Sequence, residues 1–219
     1  MIDMATGRRR LILNGLGLAS ASVVAGAVSA AGLVPTPRQT PGPFYPVRLP
    51  IDSDNDLVNV GGRSQPASGT VTHVFGQVLT ESGRPVPGLR VEIWQCDAFG
   101  HYHHPGDRGG GADPNFQGYG RTITASDGAY RFRTIRPAHY PGRTPHIHFA
   151  ISGQGMSGLT TQMYVAGEPR NARDGLLNSI RDTAARESLI VPLNPADDLE
   201  AGALAGSFDI VLGRNLIAG

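Results

Sequence analysis

The sequence predicts an all-β protein, a β-sandwich with long loops and one short helix. Three observations point there. Short runs rich in β-branched and aromatic residues recur from residue 71 onward, turn signals separate them, and a single stretch has a helical period. The runs cover 71–79, 90–97, 129–135, 146–152, 160–165 and 208–212, and their Val, Ile, Phe and Tyr suit a pleated surface packed on one side. Between them stand Ser82-Gly83-Arg84-Pro85, Pro87-Gly88, Ser126-Asp127-Gly128 and Pro141-Gly142. The helix is expected over 174–185, where Leu176, Leu177, Ile180 and Ala184 share one face behind an Asn171 or Asp174 cap. No internal repeat interrupts this pattern.

At 219 residues, 40% hydrophobic and 17% charged, the chain supports one globular core with decorated ends. Residues 1–30 read as an export signal. Arg8-Arg9-Arg10 precede Leu11-Ile12-Leu13 and an uncharged small or apolar run to Ala30, and Val28-Ser29-Ala30 offers a cleavage point. Consecutive arginines ahead of a mild apolar region resemble a twin-arginine signal, and the expected location is periplasmic or otherwise extracytoplasmic. A retained membrane anchor is the alternative; after cleavage no stable span is expected. Residues 31–70 read as an extended arm, including Thr40-Pro41-Gly42-Pro43-Phe44-Tyr45-Pro46, and residues 71–219 as the sandwich domain. Asp52, Asp54 and Asp56 lack the rest of a calcium loop and read as a solvated turn.

Composition excludes several function classes. All 19 basic residues are Arg, which removes Schiff-base lysines and P-loop lysines, and a formal net charge of +1 gives no nucleic-acid footprint. Loss of residues 1–30 takes three Arg and one Asp, so the remaining chain is close to neutral. Cys96 is the only cysteine and lies within an apolar run, which makes it a small core residue and permits no intrachain disulfide.

The chemistry concentrates at His146-Ile147-His148. Alternate side chains of a strand share a face, so the two imidazoles project together roughly 6.6 Å apart along the strand. An isolated pair of this kind is more often two satisfied polar residues. This one follows Tyr140 by six residues across the Pro141-Gly142 turn, with His101-Tyr102-His103-His104 further upstream.

From Gly76 to Ile135 the chain resembles the sandwich core, of mixed topology, shared by intradiol ring-cleavage dioxygenases and transthyretin-like modules. The resemblance rests on Gly83-Arg84-Pro85-Val86-Pro87-Gly88, Val91-Glu92-Ile93-Trp94-Gln95-Cys96-Asp97 and Asp127-Gly128-Ala129-Tyr130-Arg131-Phe132. The set Tyr102, 113–121, Tyr140, Arg143, His146, His148 and Gln162 resembles the intradiol dioxygenases specifically, most closely the protocatechuate-type subunits, over residues 36–168. That resemblance implies a mononuclear non-haem Fe(III) held by Tyr102, Tyr140, His146 and His148. Two phenolates and two neutral imidazoles suit a hard trivalent cation. It also implies a catechol-type substrate opened between its two hydroxylated carbons with both atoms of O2 inserted, giving a muconate-type diacid.

In this family Tyr140 would leave the metal as substrate arrives, and Arg143 would stabilise charge on the bound ring. Gln162 matches a glutamine beside the substrate, the alternative being a polar strand-edge residue. Pro43 and Phe44 fall where the family's arm approaches the pocket, and Tyr119 is assigned to the pocket wall at most. His101, His103 and His104 are expected to hydrogen-bond within their loop, and Trp94 and Phe132 to be core. A long helical N-terminal domain like that of the catechol and hydroxyquinol enzymes is not expected, which suggests an open pocket; homo-oligomerisation stays open. Two other classes compete: a non-catalytic transthyretin-like binding module, and a periplasmic zinc or copper protein using the cluster 101–104 with His146 and His148.

Overall fold

The computed structural model describes residues 32–216. The expected export signal lies outside the described residues. Two mixed five-stranded sheets form the sandwich. In the first, β1 (Val71–Thr80) is central, paired antiparallel with β4 (Ala129–Ile135) and parallel with β9 (Leu204–Ser207) and β10 (Ile210–Leu212), while β8 (Asn194–Pro195) continues from β9. The second runs β3-β2-β5-β6-β7, with β2 (Arg90–Trp94), β3 (Tyr119–Ile123), β5 (His146–Ser152), β6 (Leu159–Val165) and β7 (Ile190–Val191). Among the described residues no helix is long and apolar enough to cross a membrane.

Strand alternation sorts the two faces of the second sheet. Val91 and Ile93 of β2 and Ile147, Phe149 and Ile151 of β5 point inward and pack with Val74, Val78, Phe132 and Phe208, all at most 1% exposed. Glu92, Trp94, His146 and His148 therefore point outward, yet they too are buried, because the arm lies across them. Among its attachments are backbone bonds from Thr36 N to Val211 O (2.9 Å) and Gln39 N to Thr160 O (2.7 Å). The iron-type donor set predicted from sequence thus lies between the outer face of one sheet and the arm.

Four expectations need correction. The helix over 174–185 is two single turns, α1 (Gly175–Asn178) and α2 (Thr183–Glu187). Asp174 and Asp182 each accept backbone N–H groups as caps, and these local bonds compete with one continuous helix. The run over 90–97 ends as a strand at Trp94, where Asp97 begins to organise a loop, and that over 208–212 begins only at Ile210. Within the arm, Leu57 and Val58 are fully buried in the core, and Leu57 N donates to Arg133 O at 2.7 Å. Asp56 of the supposedly solvated turn is ion-paired with Arg133 at 2.9 Å. Strands β3 and β9 lacked a signal, since Tyr119-Gly120-Arg121 and Ala205-Gly206 carry too few strand-forming side chains.

Candidate metal centre

Strand β5 brings His146 and His148 to one face with their Nε2 atoms 3.2 Å apart. His146 Nδ1 lies 2.6 Å from the Thr144 carbonyl, so Nδ1 carries the proton that bond requires and Nε2 presents a lone pair. Tyr140 and Tyr102 complete the cluster: the Tyr140 ring centroid is 5.5 Å from His146 and 5.6 Å from Tyr102. Tyr102 is buried, and its hydroxyl has no properly oriented hydrogen-bond partner, which is costly for an oxygen removed from water. A buried, unpartnered phenol beside two facing imidazole nitrogens is the arrangement a bound cation would satisfy.

Tyr102 sits on a loop without regular secondary structure, and carboxylates substitute for a ladder. Asp97, fully buried, accepts from Phe99 N (2.8 Å), His101 N (2.9 Å) and, across the loop, Asp113 N (2.7 Å). Asp107 accepts from Tyr102 N itself at 2.6 Å. His103 Nε2 reaches the carbonyls of Asp113 (2.9 Å) and Phe116 (2.6 Å), and His104 Nδ1 accepts from Gly106 N. The rings of His103 and His104 are therefore committed to loop bonds, as expected, while the His101 ring only lies near Asp107, its Nδ1 3.8 Å from Oδ1. Among the described residues no group of three His, Cys, Asp or Glu converges, so the zinc or copper arrangement built on 101–104 is not formed.

Tyr140 and Arg143 are the ends of one β-turn, closed by Arg143 N to Tyr140 O at 2.9 Å, with Gly142 at φ 80° in the left-handed region that glycine tolerates. Arg143 is held from three sides. Its Nε donates to Asp174 Oδ2 (2.9 Å), and its Nη2 donates to Gln162 Oε1 (2.6 Å) and, more weakly, to the Tyr164 hydroxyl (3.4 Å). Gln162 is fully buried in β6, with its amide donating to Thr40 O of the arm at 3.1 Å, so it is no strand-edge residue.

The arm roofs the cluster. Phe44 stacks on Tyr102 at 4.7 Å and meets Tyr140 edge-on at 6.1 Å. Gly42 crosses so close that a Cβ there would lie 3.3 Å from His148 Cε1. Tyr140 is the half-exposed member of the four, and it lines two cavities of about 660 and 300 Å³; the second is shared with Arg143.

Burial sets the protonation states. It pushes His146 down to about 4, with the Arg143 charge adding to the effect, and holds His148 well below its ordinary range, with His146 adding to it. Both imidazoles are neutral at pH 7 and able to act as ligands. Tyr102 is raised well above the usual phenol range by burial and by Tyr140; Tyr140 is raised by burial against the opposing pull of Arg143. Their ionisation calls for a nearby cation of high charge, which is what a ferric ion supplies.

A family model described as "Dioxygenase" matches residues 40–214. The protocatechuate 3,4-dioxygenase beta chain of Burkholderia cepacia is 40% identical over 168 residues, covering 73% of this chain and 71% of that one. The chain belongs to the intradiol ring-cleavage dioxygenases. Catechol 1,2-dioxygenase of Acinetobacter baylyi is 32% identical over 76% of this chain, but this chain spans only 56% of that enzyme's length. Among solved structures, the dioxygenase domain of a dioxygenase carbohydrate-binding protein fusion from Streptomyces sp. SirexAA-E superposes with a TM-score of 0.64 at 33% identity, covering 82% of this chain and 99% of that one.

Measured against this dioxygenase fold, the expected residues divide. Tyr102, Tyr140, His146 and His148 come together, with Arg143, Gln162 and Phe44 against them. Pro43 is exposed. Tyr119 is buried with its hydroxyl donated to Glu92, and it lines a separate cavity of about 700 Å³ with Ile51, His103 and Phe116, away from the cavities Tyr140 lines. Trp94 is buried as expected, but on the outer face, stacked flat on His148 at 4.8 Å. Cys96 is buried, its thiol pushed up to about 12 by burial and the neighbouring Asp97, which leaves it inert. Sequence reasoning missed Asp174, read only as a cap, and Asp97 and Asp107; a carboxylate next to Gly was the one available signal for Asp107 and Asp174, and Asp97, between Cys96 and Ala98, had none.

Proposed function

We propose that this intradiol dioxygenase holds a mononuclear non-haem Fe(III) through Tyr102, Tyr140, His146 and His148 and cleaves a catechol-type ring between its hydroxylated carbons, using O2 to give a muconate-type diacid. The observation that carries the reading is the buried, unpartnered Tyr102 hydroxyl beside two imidazole nitrogens 3.2 Å apart. When bound, a ferric ion supplies Lewis acidity that draws electron density from a chelated diol and makes the ring, rather than O2, the activated partner.

The remaining work belongs to the chain. Tyr140 stands at the opening, so its Oη is placed to take a proton from one diol hydroxyl as substrate enters. Arg143, fixed by Asp174 and Gln162, directs fixed positive charge toward developing negative charge on the ring without reorganising. Phe44 and the arm exclude water from the Tyr102 side. Relatives named for catechol, protocatechuate and hydroxyquinol support an ortho-diol as the substrate.

The iron-loaded protein should consume about one O2 per diol with at least one of these three. Absence of uptake from all three, and from lignin-like diols, by protein that has bound iron would defeat the reading. The twin-arginine signal over residues 1–30 belongs to the same proposal, with an exported enzyme meeting small or polymer-derived diols; recovery of the protein solely from the cytoplasmic fraction would defeat that part.

A further inference from the structure

The two histidines are oriented by different physical means. His146 has the usual device for a ligand imidazole, a hydrogen bond from its far nitrogen to a carbonyl. His148 does not: its Nδ1 is buried without a partner, so no hydrogen bond at that atom fixes the ring's rotation. What touches the ring instead is Trp94, parallel to it within 4° at a centroid distance of 4.8 Å, and Gly42 at its Cε1 edge.

Trp94 is in turn held without polar contact of its own, since its indole Nε1 also lacks a partner. Tyr45 of the arm meets it edge-on at 4.9 Å and 90°, and Tyr119 is its cross-strand neighbour. Both phenols converge on a single carboxylate oxygen, Oε1 of Glu92: Tyr45 donates to it at 3.1 Å and Tyr119 closes the other side. Glu92 lies two residues before Trp94 on the same face of β2 and is 8% exposed. Burial, then Glu92, raises both phenols, so they remain hydrogen-bond donors at neutral pH.

We propose that Trp94 is a positioning residue for His148, and that Tyr45, Glu92 and Tyr119 form the clasp that keeps the indole flat against the imidazole while pinning the arm over the site. The inference rests on the ferric reading of the centre. An aromatic pair of this kind contributes an amount equivalent to a few-fold in an equilibrium constant, and loss of an outer partner of a ligand histidine lowers metal affinity about 10-fold or more.

The test uses the full chain and four variants: Trp94→Leu, Trp94→Phe, Tyr45→Phe and Glu92→Gln. In Fe(III)-loaded protein, Trp94→Leu should release iron to excess chelator about 10-fold faster and shift the visible band, with Trp94→Phe restoring most of the difference. Tyr45→Phe and Glu92→Gln should give about 3-fold effects, and they carry the test alone if Trp94→Leu does not fold. In metal-free protein, the ring current of Trp94 should hold the His148 Hε1 resonance upfield, and Glu92→Gln should move it downfield. A coloured parent whose variants match it in band, release rate and resonance overturns the positioning role. A parent that binds no iron while the resonance still responds overturns the ferric reading and leaves the stacking intact.

Discussion

Replacing Asp174 by Asn removes one charge while nearly keeping the shape of the side chain. The carboxylate accepts four hydrogen bonds, from Leu176 N and Leu177 N at 3.0 Å each on Oδ1, and from Arg143 Nε at 2.9 Å and Thr144 N at 3.0 Å on Oδ2. An amide has one acceptor oxygen, so whichever way it turns, two N–H groups face an NH2. The Arg143 and Asp174 side chains are 14% and 0% exposed, and a buried pair broken at one partner costs about 3–5 kcal/mol. Arg143 keeps Gln162, which places the expected loss near the lower bound, about 3 kcal/mol at pH 7. Burial alone would raise Asp174; the bonds from Leu177, Thr144 and Arg143 outweigh it and hold the carboxyl below its ordinary 3.8. The stabilisation is therefore complete above that value and disappears as pH falls through the lower folded-state value. Urea unfolding of metal-free parent and variant should show the gap at pH 7 and its narrowing below about pH 4. With the iron-loaded forms, kcat/KM should fall about 10- to 100-fold. A stability difference under about 1 kcal/mol at pH 7, the size of an ordinary cap, would refute the linkage of Asp174 to Arg143.

Three further outcomes follow from the same geometry. Tyr102→Phe removes a buried hydroxyl without a partner, so metal-free protein should gain about 1 kcal/mol in urea unfolding while iron binding and colour are lost; unchanged iron content would contradict this. Because His146 is held near 4 against an ordinary 6.5, the unfolded chain binds its proton first as pH falls. Metal-free protein should therefore lose roughly 3 kcal/mol between pH 6.5 and 4 from this residue, and His146→Gln should flatten the pH-dependence. Gly42→Ala places a Cβ 3.3 Å from His148 Cε1 at a φ of 67°, so it should lower stability by about 1–2 kcal/mol and speed iron loss, both read against the parent in the same unfolding and chelator assays.

The 140–148 part of the candidate site is legible because it is local and chemically unusual, whereas Tyr102, on a separate loop, enters only through the family resemblance. His146 and His148 announce a shared face by spacing alone, and Tyr140 and Arg143 are adjacent through a turn that Pro141-Gly142 writes into the sequence. Gln162 gave no hint that it would hold Arg143, since the contact joins β6 to the turn before β5 and depends on a strand register that composition does not encode. Trp94 was read as core because period-2 alternation says which residues share a face, not whether a segment such as 36–45 covers the other face. The arm's Leu57 and Val58 escaped for the complementary reason: two apolar residues in a polar, turn-rich stretch set no period. The helix failed at 179–182, where Ser and Asp side chains offered the backbone local partners that an apolar stripe cannot outvote.

The central claim is that two phenolates and two imidazoles grip a trivalent iron. A visible spectrum of freshly purified protein, taken with metal analysis of the same sample, tests it most directly. The account predicts a red-brown solution with about one iron per chain, its intensity coming from phenolate-to-ferric charge transfer and lost in Tyr102→Phe. A colourless sample holding zinc, or a blue-green one holding copper, would contradict it.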